Sequence, residues 1–119
     1  MNNKENRQDV RYKEIGRVIA MDLCPISAIL DDISASGCKI HYSFPVVVDL
    51  ENEYDVKISA LHYSDLEPLH LICKPQWVNE SEGNTYVGFS ILYSPDASRL
   101  LKFIDQLEKL SEDELPDLD

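Results

Sequence analysis

Apolar residues in this chain recur in short runs rich in β-branched side chains, with clusters of turn-forming residues between them. Residues 16–21 read as a first strand, ended by Asp22 and the Cys24-Pro25 step. Residues 26–32 read as a second, and 38–42 alternate and read as a third after a Ser-Ala-Ser-Gly turn. A short apolar run at 46–48 is a candidate brief strand. Residues 54–61 alternate clearly, 69–78 form a strand in which Pro75 marks a bulge or an edge, and 85–92 form the last. Short strands at this spacing, with no helix between them, predict an antiparallel barrel or sandwich. The first half alone would not close a core, so no internal domain boundary is expected.

The pattern changes at Ser94. Its hydroxyl suits a helix N-cap, and Pro95 suits the first helical position, where no N–H is needed. Leu100, Phe103, Ile104, Leu107 and Leu110 then recur at helical spacing. They predict one amphipathic helix of roughly four turns that fades near Ser111. Its stripe is expected to pack on the barrel, with a dimer seam as the other option. Residues 1–13 are polar apart from Val10 and Tyr12 and read as an N-terminal switch arm. Residues 14–111 then form the barrel with its helix, and 112–119 an acidic, disordered tail.

Charge narrows the partners. The chain has 119 residues, enough for one domain, and a net charge of -11, which disfavours binding to a nucleic-acid polymer. The first 17 residues carry five cations against three anions, a local +2 that leaves -13 on the remaining 102. A basic arm on an acidic body suits a small anionic ligand. Cys24, Cys38 and Cys73 are too few and too scattered for a disulfide framework and read as reduced, buried thiols. The N-terminus lacks the apolar stretch of a signal peptide, and no run approaches the ~18 apolar residues of a membrane span. A cytoplasmic protein without membrane insertion is expected.

Two polar signatures carry the candidate chemistry. Arg7 and Arg11, four apart, can face one ligand from either a helix or an extended strand. Guanidinium meets phosphate oxygens or the guanine O6/N7 edge with a planar fork. An ordinary charged arm would carry the same pair. The second signature, Asp32-Ile33-Ser34-Ala35-Ser36-Gly37, lies between two apolar runs. Gly37 permits positive φ and close approach of backbone to ligand. Asp32 and Ser34 point to one face of an extended chain, where a carboxylate can accept two N–H bonds from a guanine edge. The competing interpretation is a hairpin connection whose Asp and Ser bond their own backbone. Asp31 and Asp32 are expected on opposite strand faces. His41, His62 and His70 show no metal-ligand spacing, and His62 and His70 read as solvent-exposed cross-strand histidines, while Trp77, Tyr86 and Phe89 are assigned to core. Nothing supports a nucleophile, a metal site or a phosphate loop, so neither catalytic residues nor a cofactor are assigned.

Taken together, the two signatures resemble those of the PilZ domain family: R-x-x-x-R on an N-terminal segment, then D/N-x-S-x-x-G between barrel strands. Arg7, Arg11, Asp32, Ser34 and Gly37 fill those positions. Gln76-Trp77-Val78 followed by Val87-Gly88-Phe89 is similar to the family's late strand pair, and the terminal helix also fits. The resemblance implies a six-stranded antiparallel β-barrel with one C-terminal helix that binds cyclic di-GMP. It implies that the arginines contact guanine and phosphate while Asp32 and Ser34 hold a guanine edge. Binding would draw the arm against the barrel and signal to a downstream protein whose identity the residues leave open. Asn6, preceding the first arginine, occupies a position that bears on ligand stoichiometry in the family. Arg17 is an auxiliary cation or a surface residue of the first strand. The alternative function is a PilZ-like protein-interaction module that binds no nucleotide.

Overall fold

The computed structural model describes residues 10–114, with side chains described as far as Glu112. Arg7, Asn6 and most of the arm and tail assigned from sequence lie outside the described residues. The strands are β1 (Tyr12–Ala20), β2 (Cys24–Ile33), β3 (Gly37–Tyr42), β4 (Tyr54–Ala60), β5 (Leu69–Ser81) and β6 (Asn84–Tyr93), followed by the helix α1 (Ala97–Glu114). They form a closed barrel in the order β1-β2-β3-β6-β5-β4, antiparallel at every pairing, with β4 returning to β1. Closure leaves no sheet edge to protect.

Alternation drives closure. Val18, Leu30, Ile40, Val56, Ile58, Leu71, Val87 and Phe89 all point inward and are buried. The barrel has two ends to seal. At one, the 43–53 segment crosses from β3 to β4, and Phe44, Val46 and Val48 pack on the core. The run at 46–48 is therefore a crossover and not a strand. Its backbone is held from the side: buried Thr85 accepts the Val46 N–H (3.0 Å) through Oγ1 and donates to the Phe44 carbonyl (3.0 Å). α1 supplies further apolar cover through Leu100, Phe103 and Leu107, with Phe103 edge-on to Tyr63 at 5.2 Å. Ser94 ties down the turn before it, accepting the Asp96 N–H (2.9 Å) and donating to the His70 carbonyl (2.6 Å). The first helical bond, from the Leu100 N–H, goes to the Asp96 carbonyl (2.9 Å), so the N-cap position falls at Asp96 and not at Ser94, and Pro95 precedes the helix. α1 runs for 18 residues, beyond the predicted fade at Ser111. It is not apolar enough to cross a membrane.

Two bulges adjust the faces. In β2, Leu30 pairs with Ile40 but Asp32 pairs with Lys39, so Asp31 is an extra residue. Leu30 and Ile33 are both buried, and the two aspartates between them are both part-exposed. The expectation of opposite faces for Asp31 and Asp32 fails because a bulge breaks the period of two. In β5, Pro75 faces Phe89 while Trp77 faces Gly88, leaving Gln76 as the extra residue; the proline does mark a bulge. Phe89 is core, but Trp77 is 42% exposed and lies on the outside against Gly88, and Tyr86 is part-exposed. A Cβ at Gly88 would fall 2.2 Å from the indole, so glycine is what lets the ring lie flat there.

The histidines are not free surface residues. His41 Nδ1 lies 2.9 Å from Asp31, His62 Nδ1 2.9 Å from buried Glu14, and His70 Nε2 2.9 Å from Asp55.

Thr85→Val keeps shape but leaves the part-buried Val46 N–H and Phe44 carbonyl without their partner. We expect a loss of about 1–3 kcal/mol in urea unfolding followed by the fluorescence of the single tryptophan, Trp77. Gly88→Ala is expected to displace the indole and red-shift its emission in the folded state.

Candidate functional site

The local chain path explains how the two signatures meet. Arg11 immediately precedes β1, whose Lys13 pairs with Asp32 of β2. Crossing from one strand to its neighbour is a step of ~5 Å, within easy reach of an arginine. Arg11 Nη1 donates to Asp32 Oδ1 at 2.7 Å. Its Nη2 lies 3.5 Å from the point where a Cβ on Gly37 would sit. A cation and a carboxylate 21 residues apart in sequence thus share one patch of the outer barrel wall with Gly37. The pair is solvated, with side-chain exposures of 49% for Arg11 and 22% for Asp32. An ion pair of this kind contributes only about 0–1 kcal/mol, so opening it for a ligand costs little.

Ser34 has a different part. It lies just past the end of β2 and is buried, so the extended-chain argument that set it beside Asp32 does not apply. Its Oγ accepts the Gly37 N–H (3.0 Å) and the Ser36 N–H (3.2 Å) and donates to the Gly37 carbonyl (3.3 Å). The Ser34 N–H closes the same turn on the Gly37 carbonyl at 2.8 Å, and Ile91 N–H ties Ser36 O to β6 at 2.8 Å. The serine bonds its own turn, as a hairpin connection would.

Gly37 is needed for a reason other than positive φ. Among the described residues positive φ occurs at Glu82 and Gly83, in the β5–β6 turn, and Gly37 is not one of them. A Cβ on Gly37 would stand 2.5 Å from the Phe89 carbonyl oxygen. Glycine lets β3 start hard against β6, and it leaves the surface beside Arg11 flat.

Arg17 is exposed on β1 and pairs in register with Ile29, three positions along β2 from Asp32. It is not part of the Arg11–Asp32 patch. Of the neighbouring polar residues of the wall, Lys13 and Lys39 belong to no sequence motif, His41 is weighed from sequence only as a metal ligand, and Tyr86, assigned to core, is part-exposed. The alternation of 38–42 puts Lys39 and His41 outside; His41 pairs in register with Ile29, and the alignment of Lys39 with Asp32 depends on the bulge at Asp31.

Two depressions border the patch. A cleft of about 310 Å³ between the start of β1 and α1 takes in Arg11, Tyr12, Glu14, His62, Leu107 and Leu110. Burial, with the Glu108 and Glu112 carboxylates nearby, pushes the Tyr12 phenol above its usual range. A more open concavity of about 580 Å³ lies over Ile15, Ile29, Leu30 and Leu61, with Lys13 and Asp31 among its lining. Neither includes Asp32, Ser34 or Gly37, so the motif patch is open wall and not an enclosed pocket.

Neither a family model nor a curated protein sequence matches this chain. Solved structures do match its architecture. The inhibitor of motility MotI/DgrA of Bacillus subtilis aligns with a TM-score of 0.78 at 10% identity, over 92% of this chain and 53% of that one. The PilZ domain of Escherichia coli YcgR, solved with c-di-GMP, aligns at 0.63 and 14% identity, over 92% of this chain and 98% of that one. PlzA of Borreliella burgdorferi, in complex with c-di-GMP, aligns at 0.51 and 12% identity, over all of this chain and 53% of that one. The chain therefore spans about half the length of MotI/DgrA and PlzA and nearly all of the YcgR domain. At these identities the likeness is one of fold. The chain has the fold of a PilZ domain: a closed six-stranded antiparallel barrel with a C-terminal helix.

Proposed function

We propose that this protein is a receptor for cyclic di-GMP, with Arg7, Arg11, Asp32, Ser34 and Gly37 forming its site. The observation that carries the reading is the contact of Arg11 with Asp32 beside Gly37, which joins the two signatures into one patch. Two of the structures that share the fold hold c-di-GMP.

The chemistry follows from the side chains. The Asp32 carboxylate accepts the N–H donors of a guanine edge, and the guanidinium of Arg11, released from Asp32, turns to a phosphate or to the guanine O6/N7 edge. Gly37 keeps the floor clear. Ser34 acts indirectly, holding the turn that sets the spacing between Asp32 and Gly37. Arg7 joins from the arm, which ligand draws toward the wall, and the altered arm is what a downstream protein recognises. Ordering the arm opposes binding, so affinity is moderate. Asn6 bears on how many nucleotides are held, and Arg17, outside the patch, contributes at most long-range attraction.

A second reading, a PilZ-like module that engages a protein partner without nucleotide, draws on the full engagement of the Ser34 hydroxyl in its own turn.

Calorimetric titration with cyclic di-GMP, with GTP and cyclic di-AMP as controls, separates the two. Wild type is expected to bind cyclic di-GMP alone. A bidentate arginine–guanine pair is worth about 1–3 kcal/mol, so Arg11→Ala and Asp32→Ala should each weaken binding roughly ten- to a hundredfold. Their folding stability should change by no more than about 1 kcal/mol. Absence of heat with wild type sinks the receptor reading; undiminished binding in both variants moves the site elsewhere.

A further inference from the structure

The register of the barrel lines up five outer-wall positions into one row running across the strands. Lys13 of β1 pairs with Asp32 of β2, Asp32 with Lys39 of β3, Lys39 with Gly88 of β6, and Gly88 with Trp77 of β5. Neighbours in such a row stand ~5 Å apart. Lys39 is thus one strand from Asp32, on the side away from Arg11. Its side chain must point outward, because Cys38 and Ile40 on either side are fully buried.

Lys39 is also held. Its Nζ lies 5.4 Å from the centre of the Tyr86 ring, close enough for a cation–π contact. The Tyr86 ring rests against that of His41 at 5.2 Å, and His41 Nδ1 is 2.9 Å from Asp31, the bulged residue. The adjacent carboxylate, Asp32, is occupied by Arg11. Among the described residues no carboxylate pairs with Lys39. In a chain of net charge -11, an ammonium backed by aromatic rings and unmatched by an acid is a local attraction for an anion. On its far side the Trp77 indole lies flat on Gly88 and walls the row.

We propose that Lys39 is a phosphate-contacting residue of the site, a cation supplied by the barrel wall in addition to those near the N-terminus. The proposal rests on the reading of the site as a cyclic dinucleotide site. An ammonium is suited to the phosphate and not to the guanine edge that Asp32 takes, since that edge presents N–H donors, which a cation repels. Lysine offers a compact charge on a long stem without the fork of arginine, and phosphate accepts such a charge from many directions. The order carboxylate, then cation, along the row would place guanine over Asp32 and a phosphate toward β3.

The test is calorimetric titration of cyclic di-GMP at low and high salt into wild type, Lys39→Gln, Lys39→Arg and Lys57→Gln. Lys57 is an exposed lysine on β4, outside the row. Losing a hydrogen bond to a charged group corresponds to about a tenfold or greater rise in Kd, expected for Lys39→Gln only. Its affinity should also depend less on salt, since one fewer charge is screened. Lys39→Arg should stay within about threefold of wild type by keeping the charge. Thermal unfolding of the four proteins should overlay.

If wild type binds and Lys39→Gln matches it in Kd and salt dependence, the Lys39 assignment falls while the receptor reading stands. A weaker Kd with an unchanged salt dependence also overturns it, because Lys39 would then only support Tyr86. No uptake of cyclic di-GMP by wild type overturns both.

Discussion

The outer wall of this barrel is organised by a single extra residue in β2. Barrel closure demands that Leu30 and Ile33 both face the core, and only a bulge between them satisfies that demand. The bulge delivers two consecutive carboxylates to the outside. Asp31 goes to His41, and through it supports the Tyr86 ring; Asp32 goes to Arg11. Without the extra residue the register of β2 against β3 would shift, and Asp32 would lose its alignment with Lys39. Core packing, a hydrophobic requirement, therefore fixes the polar layout of the face on which the site is proposed.

Rigid and adjustable parts are divided in a way that suits reversible binding. The turn after β2 is bonded to itself through Ser34 and to β6 through Ile91, and β3 begins in close backbone contact with β6 because Gly37 lacks a side chain. Against this fixed floor stands Arg11, half exposed, outside any strand and held by one solvated ion pair. The floor can define a ligand's orientation, while the weak pair lets the cation change partners at small cost.

The architecture was largely readable from the chain. The six strands and the helix follow from period-two runs and a 3.6-residue stripe, while the helix start falls two residues later than predicted, with Asp96 and not Ser94 accepting its first bond. The misreadings have physical causes. Val46 to Val48 look like a strand because β-branched residues also suit an extended crossover that must cover a barrel end. Trp77 looks like core because its size suggests burial, yet the bulge at Gln76 turns it out onto Gly88. The first strand starts at Tyr12, earlier than expected, because polar Lys13 and Glu14 hide it; Glu14 is buried and bonded to His62. In the candidate site, the residue types were legible. Their arrangement was not, since Ser34 turns inward after β2 ends and Lys39 joins Asp32 only through a register that no local pattern encodes.

The central claim is spatial: cyclic di-GMP binds on the outer wall where Arg11, Asp32 and Gly37 meet. Backbone amide chemical shifts of the isotopically labelled protein, followed by NMR during titration with cyclic di-GMP, test it most directly. The account predicts the largest changes at Arg11, at Asp32 and across residues 34–39, with little change along β4. Changes centred on β4 and the exposed face of α1, with residues 32–39 unmoved, would contradict it.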